Sequence, residues 1–381
     1  MSRFTLPRDV YHGMGCLEEL KNLKGKKAIL VVGGGSMRRQ GFLDKAVDYL
    51  KDAGMEVELF EGVEPDPSVE TVMKGAEAMR KFQPDWIVAM GGGSPIDAAK
   101  AMWAFYEYPD TTFEALCIPF NFPELRQKAK FCAIPSTSGT ATEVTAFSVI
   151  TNYETGVKYP LADFNITPDV AIVDPELVMG LPIKQVAYTG LDALTHAIEG
   201  LITKGAWEMS DMFEIKAIEM ITRYLETAVF EPTNAEARNG MAVAQYIAGM
   251  AFSNVGLGVV HGMAHPLGAI FDIPHGVANA LLLPIIMEFN APAALDKYVE
   301  IAKAMTVYKE GMSQEEAARA AVDAVRALSV RVGIPQHLSE LGIKESDLDK
   351  LATAAIADVC TPGNPREVTK EIILDLYKKA L

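Results

Sequence analysis

Asp192 and His196 stand four residues apart in Thr189-Gly190-Leu191-Asp192-Ala193-Leu194-Thr195-His196. On a helix that spacing sends a carboxylate and an imidazole from one face, one turn above the other. The pair is half of a site for a first-row metal ion. His261, in His261-Gly262-Met263-Ala264-His265-Pro266, and His275, in Ile273-Pro274-His275-Gly276, are candidates for the other half. Alone, Asp192 and His196 could equally be a buried histidine and its hydrogen-bond partner. The later histidines sit in an almost uncharged stretch, and burying them without partners is costly, which favours the ion. His261 and His265 have the spacing of H-E-x-x-H, but Gly262 stands where that zinc-peptidase motif needs its glutamate.

A second chemistry is written in the first half. Lys27–Val32 is a β-rich run ending in Gly33-Gly34-Gly35-Ser36, and Trp86–Met90 is another ending in Gly91-Gly92-Gly93-Ser94-Pro95-Ile96-Asp97. A strand, a glycine turn and a helix with proline near its start let the backbone N–H groups approach a phosphate. Two such units favour a dinucleotide, although neither has the G-x-G-x-x-G spacing of the usual fingerprint. Four hydroxyls in Ser136-Thr137-Ser138-Gly139-Thr140, after the strand Phe131–Ile134, are either cofactor contacts or an ordinary Ser/Thr turn.

These residues need two kinds of scaffold. Strands alternate with helical spacing up to about Pro175, with further strands at Val57–Phe60, Val144–Thr151 and Val170–Val173. Beyond it the pattern is helix after helix. The expected fold is therefore an α/β dinucleotide-binding domain over 1–184 followed by an all-helical metal-binding domain over 185–381, with the ligand cleft between them.

Composition narrows the functions. A net charge of −15 opposes binding to nucleic acid. The four cysteines form no C-x-x-C pair, which predicts free thiols and a cytoplasmic protein, and the first residues carry no signal-peptide pattern. The 33 residues Asn239–Phe271 hold no Asp, Glu, Lys or Arg. They are long enough to cross a membrane. Six glycines, two histidines and a proline within them point instead to buried core helices, and no membrane partner is expected.

With these motifs in place, the whole chain closely resembles the iron-containing, or group III, alcohol dehydrogenase family, whose architecture is dehydroquinate synthase-like. The resemblance rests on Gly91–Pro95, on Thr189–His196 and on the two later His-Gly motifs. It implies Asp192, His196, His261 and His275 as ligands of one divalent ion, usually Fe(II) and sometimes Zn(II). It implies Gly92, Gly93, Ser94 and Asp97 at the pyrophosphate, Ser136, Thr137, Thr145 and Phe147 along the nucleoside, and Lys158 at the cofactor ribose or phosphate. Gly34, Gly35 and Ser36, and Asp66 in the turn Pro65–Ser68, are counted with the cofactor contacts. His265 matches a family histidine near the substrate and is the candidate proton carrier. A homodimer with a small-molecule alcohol or aldehyde substrate is also implied, with Phe4–Tyr11 a candidate contact.

Two branches of the family compete. The segment from about Gly249 to Pro284 looks most like lactaldehyde (1,2-propanediol) reductases that use NAD, while the first half looks more like NADPH-dependent butanol dehydrogenases. A carboxylate at the end of the first strand would favour NAD. Gly33 takes that place here, with Ser36, Arg38 and Arg39 close behind, so NADP(H) is expected ahead of NAD. A dehydroquinate synthase-like lyase is a distant third reading, because the uncharged stretch offers no cations for a phosphorylated, carboxylated substrate.

Overall fold

The computed structural model describes residues 3–381. It separates into two compact units, the first ending at Gly180 and the second being Leu181–Leu381. The division falls slightly ahead of the expected 184/185, at a Gly-Leu-Pro connector directly before a long helix.

The first unit alternates strand and helix. In order it contains β1 (Asp9–His12), β2 (Lys27–Val32), α1 (Ser36–Arg39), α2 (Phe42–Asp52), β3 (Glu56–Phe60), α3 (Val69–Phe82), β4 (Trp86–Gly91), α4 (Gly93–Glu107) and α5 (Phe113–Leu116). Then come β5 (Lys130–Pro135), β6 (Phe147–Asn152), β7 (Val157–Ala162) and β8 (Val170–Val173). Six strands form a parallel sheet in the order β1-β8-β5-β4-β2-β3, and β6 pairs antiparallel with β7. The central strands read as continuous apolar runs because both faces are covered. Ile29, Val31, Ile87 and Ala89 share one core with Val72, Ala76 and Met102 of α3 and α4. Their alternate neighbours Ala28, Leu30, Val88 and Met90 share another with Leu43, Ala46 and Leu50 of α2.

Strand order decides where a ligand can lie. The chain runs outward from β2 to β3, then returns across β2 to β4 and continues to β5. The carboxyl ends of β2 and β4, each followed by a glycine turn, therefore flank the point where the order reverses, which is where open α/β sheets bind ligands. Two strands escape the sequence pattern. β1 is a four-residue edge strand against β8, and β7 carries Lys158 and Pro160, so neither shows apolar alternation.

The second unit has no strand among the described residues. Its helices are α6 (Ile183–Ile202), α7 (Glu208–Phe230), α8 (Ala235–Val255), α9 (Val259–Phe271), α10 (His275–Asn290), α11 (Leu295–Ala304), α12 (Gln314–Arg331), α13 (Leu348–Ile356) and α14 (Lys370–Ala380). The uncharged stretch becomes α8 and α9, bent by 104° across Gly256-Leu257-Gly258. Gly256, at φ 83°, supplies the left-handed backbone that the corner needs. α10 with the turn after it, His275–Ala293, is long and apolar enough to span a membrane, yet α10 packs on α6, α9 and α12 with Ala278, Leu282 and Ile286 fully buried. From Val186 onward α6 is almost wholly buried, and its one polar stripe, Asp192, Thr195, His196 and Glu199, is buried with it.

Candidate functional site

The candidate ion pocket lies in the second unit. α6 supplies Asp192 and His196 from one face, α9 supplies His261 from its first turn and α10 supplies His275 as its first residue. One donor atom from each of the four lies within 4.8 Å of all the others. Asp192, His196 and His261 are buried, while the His275 side chain keeps 35% of its exposure. The His196 ring stacks on Phe252 at 4.2 Å and on His261 at 4.6 Å between centroids, which fixes its plane.

The donor set fits a divalent cation. The Asn279 amide nitrogen lies 2.7 Å from Asp192 Oδ1 and 3.1 Å from both His261 Nε2 and His275 Nε2. An amide NH₂ has two hydrogens for these three acceptors. One carboxylate and three imidazoles thus turn lone pairs toward one small region, as a first-row ion requires. Burial, then the neighbouring imidazoles, hold His261 well below its usual range, so it presents a neutral ring.

Glu199 was not recognised in the sequence, although it lies three residues after His196. Its Oε2 is 2.7 Å from His261 Nδ1, and its Oε1 accepts the Val260 N–H at 2.7 Å. One carboxylate therefore caps the start of α9 and turns His261 Nε2 toward the other donors. A Cβ on Gly258 would lie 2.8 Å from Glu199 Oε1, so the close approach depends on glycine there. His265 sits one turn on, its Nδ1 2.8 Å from Asp358 Oδ2. Against its burial, His265 and the Cys360 N–H hold the Asp358 carboxyl below the usual range. Asp358 thereby orients a histidine whose ring stacks on His275 at 5.5 Å. Of the apolar residues near this pocket, Phe252 faces His196, and Val259 and Met263 are buried in the helical core.

The candidate nucleotide cradle lies in the first unit. A cavity of about 210 Å³ is lined by Gly33, Gly34, Gly35, Ser36 and Arg38 after β2, and by Gly91, Gly92, Ser94 and Pro95 after β4. α4 begins there with Gly92 as its N-cap and no acidic residue in its first turn, so a fifteen-residue helix turns its positive end to the cavity. A Cβ on Gly91 would meet Pro95 Cγ at 2.5 Å, at a φ of +148° that few side chains adopt. Glycine is what lets the strand turn directly into the helix. The Ser136 N–H donates to Gly91 O at 2.7 Å, and Thr137 and Thr140 lie against Gly92 and Gly93. Lys158 and Asp66 come together as an ion pair at 2.6 Å.

The sequence reading of this cavity is incomplete. No acid follows β2, but the cavity is not free of acids, because Glu61 lines it from the end of β3. Parallel pairing of Val31 with Phe60 brings the residue after Phe60 beside the end of β2. Glu61 Oε1 accepts from Arg38 Nη2 at 2.8 Å and from Arg38 Nε at 3.2 Å.

Behind the cradle lies Lys100, also unanticipated. Its fully buried ammonium donates to Thr142 O and Thr145 O at 2.7 Å and to Phe147 O at 2.8 Å, with the two threonine hydroxyls at 3.2 and 3.4 Å. Asp97, one turn earlier on α4, accepts from Thr142 Oγ1 at 2.5 Å and from the Val149 N–H at 3.1 Å. Burial pushes the Asp97 carboxyl up to about 6 and the Lys100 ammonium down to about 8, each offset in part by the other. Asp97 and Thr145 thus shape the loop. That is also why β6 begins only at Phe147, since residues 142–147 wrap the lysine.

Known proteins repeat this arrangement along the whole chain. Residues 7–175 match the family described as iron-containing alcohol dehydrogenase, and residues 186–381 match the C-terminal region of the Fe-containing alcohol dehydrogenase family. The chain is 56% identical to an NADPH-dependent butanol dehydrogenase of Clostridium saccharobutylicum, covering 99% of this chain and 97% of that protein. It is 44% identical to the lactaldehyde reductase of Escherichia coli strain K12, covering 100% and 99%. Among solved structures, a 1,3-propanediol oxidoreductase superposes over 100% of both chains with a TM-score of 0.96 at 39% identity.

Proposed function

Because the chain belongs to the iron-containing alcohol dehydrogenase family and is an oxidoreductase, we propose that it interconverts short-chain primary alcohols and aldehydes of the butanol type with NADP(H). Fe(II) is the proposed ion, with Zn(II) the alternative. The observation that carries the reading is the convergence of Asp192, His196, His261 and His275, with no Lys or Arg between Asn239 and Ile273 to hold an anionic substrate. The relative at 56% identity is named for NADPH and butanol, which supports both the cofactor and the substrate class.

In this reading Asp192, His196, His261 and His275 hold the ion, which supplies Lewis acidity toward the substrate oxygen, while the nicotinamide carries the hydride. Glu199 engages His261 Nδ1 and so aims Nε2 at the ion. Gly34, Gly35, Ser36, Gly92, Gly93 and Ser94 receive the nucleotide phosphates, Ser136, Thr137 and Phe147 line the nucleoside, and Lys158 and Asp66 lie beside it. Asp97 and Thr145 act from behind, through the loop that Lys100 holds. His265, oriented by Asp358, moves the proton to or from the substrate oxygen. The protein acts as a homodimer in the cytoplasm, and the Phe4–Tyr11 segment, which runs into the edge strand β1, is the proposed contact.

A second reading, NAD-dependent reduction of a hydroxyaldehyde, is favoured by Glu61, whose carboxylate suits a ribose diol. The test is anaerobic purification, metal analysis, and assay of butanal and lactaldehyde with NADPH and NADH at the nicotinamide absorbance band. Butanal with NADPH should give the highest kcat/KM, and chelation should abolish it. No turnover after reloading with Fe(II) or Zn(II) would sink the proposal, and a higher kcat/KM with NADH and lactaldehyde would transfer it to the second reading.

A further inference from the structure

The charges around the β2 cavity form a pair with a spare. Arg38 is bound to Glu61 and lies 3.7 Å from Asp44, and both Arg38 and Glu61 stay about half exposed. Arg39 has no ion-pair partner among the described residues; its Nη1 lies 3.4 Å from Gly34 O, beside the glycine turn. A Cβ on Gly34 would meet nothing within 4 Å, so that residue opens onto the cavity. One mouth thus presents a carboxylate that accepts from hydroxyls and a guanidinium that donates to phosphate oxygens, each neutralising the other. A fixed preference would need only one of them.

We propose that Arg38 and Glu61 form a two-position selector for the adenosine ribose, which makes Glu61 a specificity-determining residue that opposes the 2′-phosphate. With a 2′-hydroxyl in the cavity, Glu61 accepts from the ribose diol and Arg38 is drawn aside. With a 2′-phosphate, Arg38 leaves Glu61 and joins Arg39 on the anion. The proposal rests on the cavity receiving the adenosine end of a nicotinamide cofactor, and it adds that preference for NADP(H) is held down by the existing ion pair. The balance is shallow. An exposed pair of this kind shifts an equilibrium by up to about fivefold, and relief of carboxylate–phosphate repulsion adds a similar factor at low salt.

The test uses binding, independent of turnover and of metal content. Adenosine 2′,5′-bisphosphate and 5′-AMP differ only at the 2′ position, and calorimetric titration of each at low ionic strength yields an affinity ratio. Wild type should favour the bisphosphate. Glu61→Gln should raise the ratio about tenfold, by tightening the bisphosphate and weakening 5′-AMP. Arg38→Ala should lower it about tenfold, mainly through the bisphosphate. Added salt at 0.5 M should shrink both changes. A wild-type ratio below one that rises in Glu61→Gln keeps the selector and removes the NADP(H) preference. A wild-type ratio above ten that moves by less than twofold in both variants keeps the preference and overturns the selector. Failure of either fragment to bind, or to compete with NADPH, overturns both.

Discussion

Lys100→Met is the substitution that most sharply separates a shaped nucleotide loop from a merely adjacent one. Methionine nearly preserves the stem volume and deletes the ammonium. Three carbonyls, Thr142 O, Thr145 O and Phe147 O, then lose a donor that stands at 2.7, 2.7 and 2.8 Å. Asp97 loses its neighbouring positive charge in a site where burial already raises its pKa. A buried acceptor left unpaired costs about 1–3 kcal/mol, and truncating one side of a buried charged pair about 3–5 kcal/mol. These costs share atoms and do not add, so the expected loss is about 3–5 kcal/mol of first-unit stability. Urea unfolding with and without nucleotide measures it. Affinity for 5′-AMP should also fall, because Thr145 and Phe147 no longer have a fixed backbone. Asp97→Asn combined with Lys100→Met should recover part of the stability, since the Asp97 carboxylate is then not stranded, although buried Glu143 still loses the Lys100 charge. Unfolding within about 1 kcal/mol of wild type, together with unchanged 5′-AMP affinity, would refute the reasoning.

Other outcomes follow from the ion pocket. Glu199→Gln should leave the helices formed but weaken metal affinity about 10–100-fold, read by competition with a coloured chelator, because His261 loses its orienting carboxylate; unchanged affinity would deny Glu199 that role. His261→Ala should abolish metal binding and turnover while circular dichroism and nucleotide affinity persist, and activity retained without metal would remove the ion from the chemistry. His265→Ala should retain metal and lose about 10²–10⁴-fold in kcat; a loss of metal content instead would make His265 part of the ion shell.

How much of this was legible depended on whether a residue's partner lies nearby in sequence. Asp192 and His196 announce themselves because a helix fixes what four residues apart means. Glu199 obeys the same geometry and was still missed, since a lone carboxylate after a histidine reads as surface until Val260 and His261 are known to meet it. Asn279 is one turn beyond His275, but an amide carries no expectation of ion chemistry. Asp358 reaches His265 from a segment far along the chain that periodicity cannot place. Glu61 shows the limit most plainly: one strand's end is readable, whereas its neighbour in the sheet is known only once β3 is seen beside β2. Lys100 carries no signal in the sequence, being one cation on a helix that proves almost wholly buried.

The donors of the ion shell all come from α6, α9 and α10, within the second unit. An ion held there ties together three separate helices and nothing in the first unit. Loading the protein should therefore act as a clamp on one half only. In a calorimetric scan the metal should raise the melting of the helical half while leaving that of the nucleotide-binding half in place, and nucleotide should do the converse. Chains left without the ion should then keep a sound nucleotide half while the helical half is first to be unfolded and degraded.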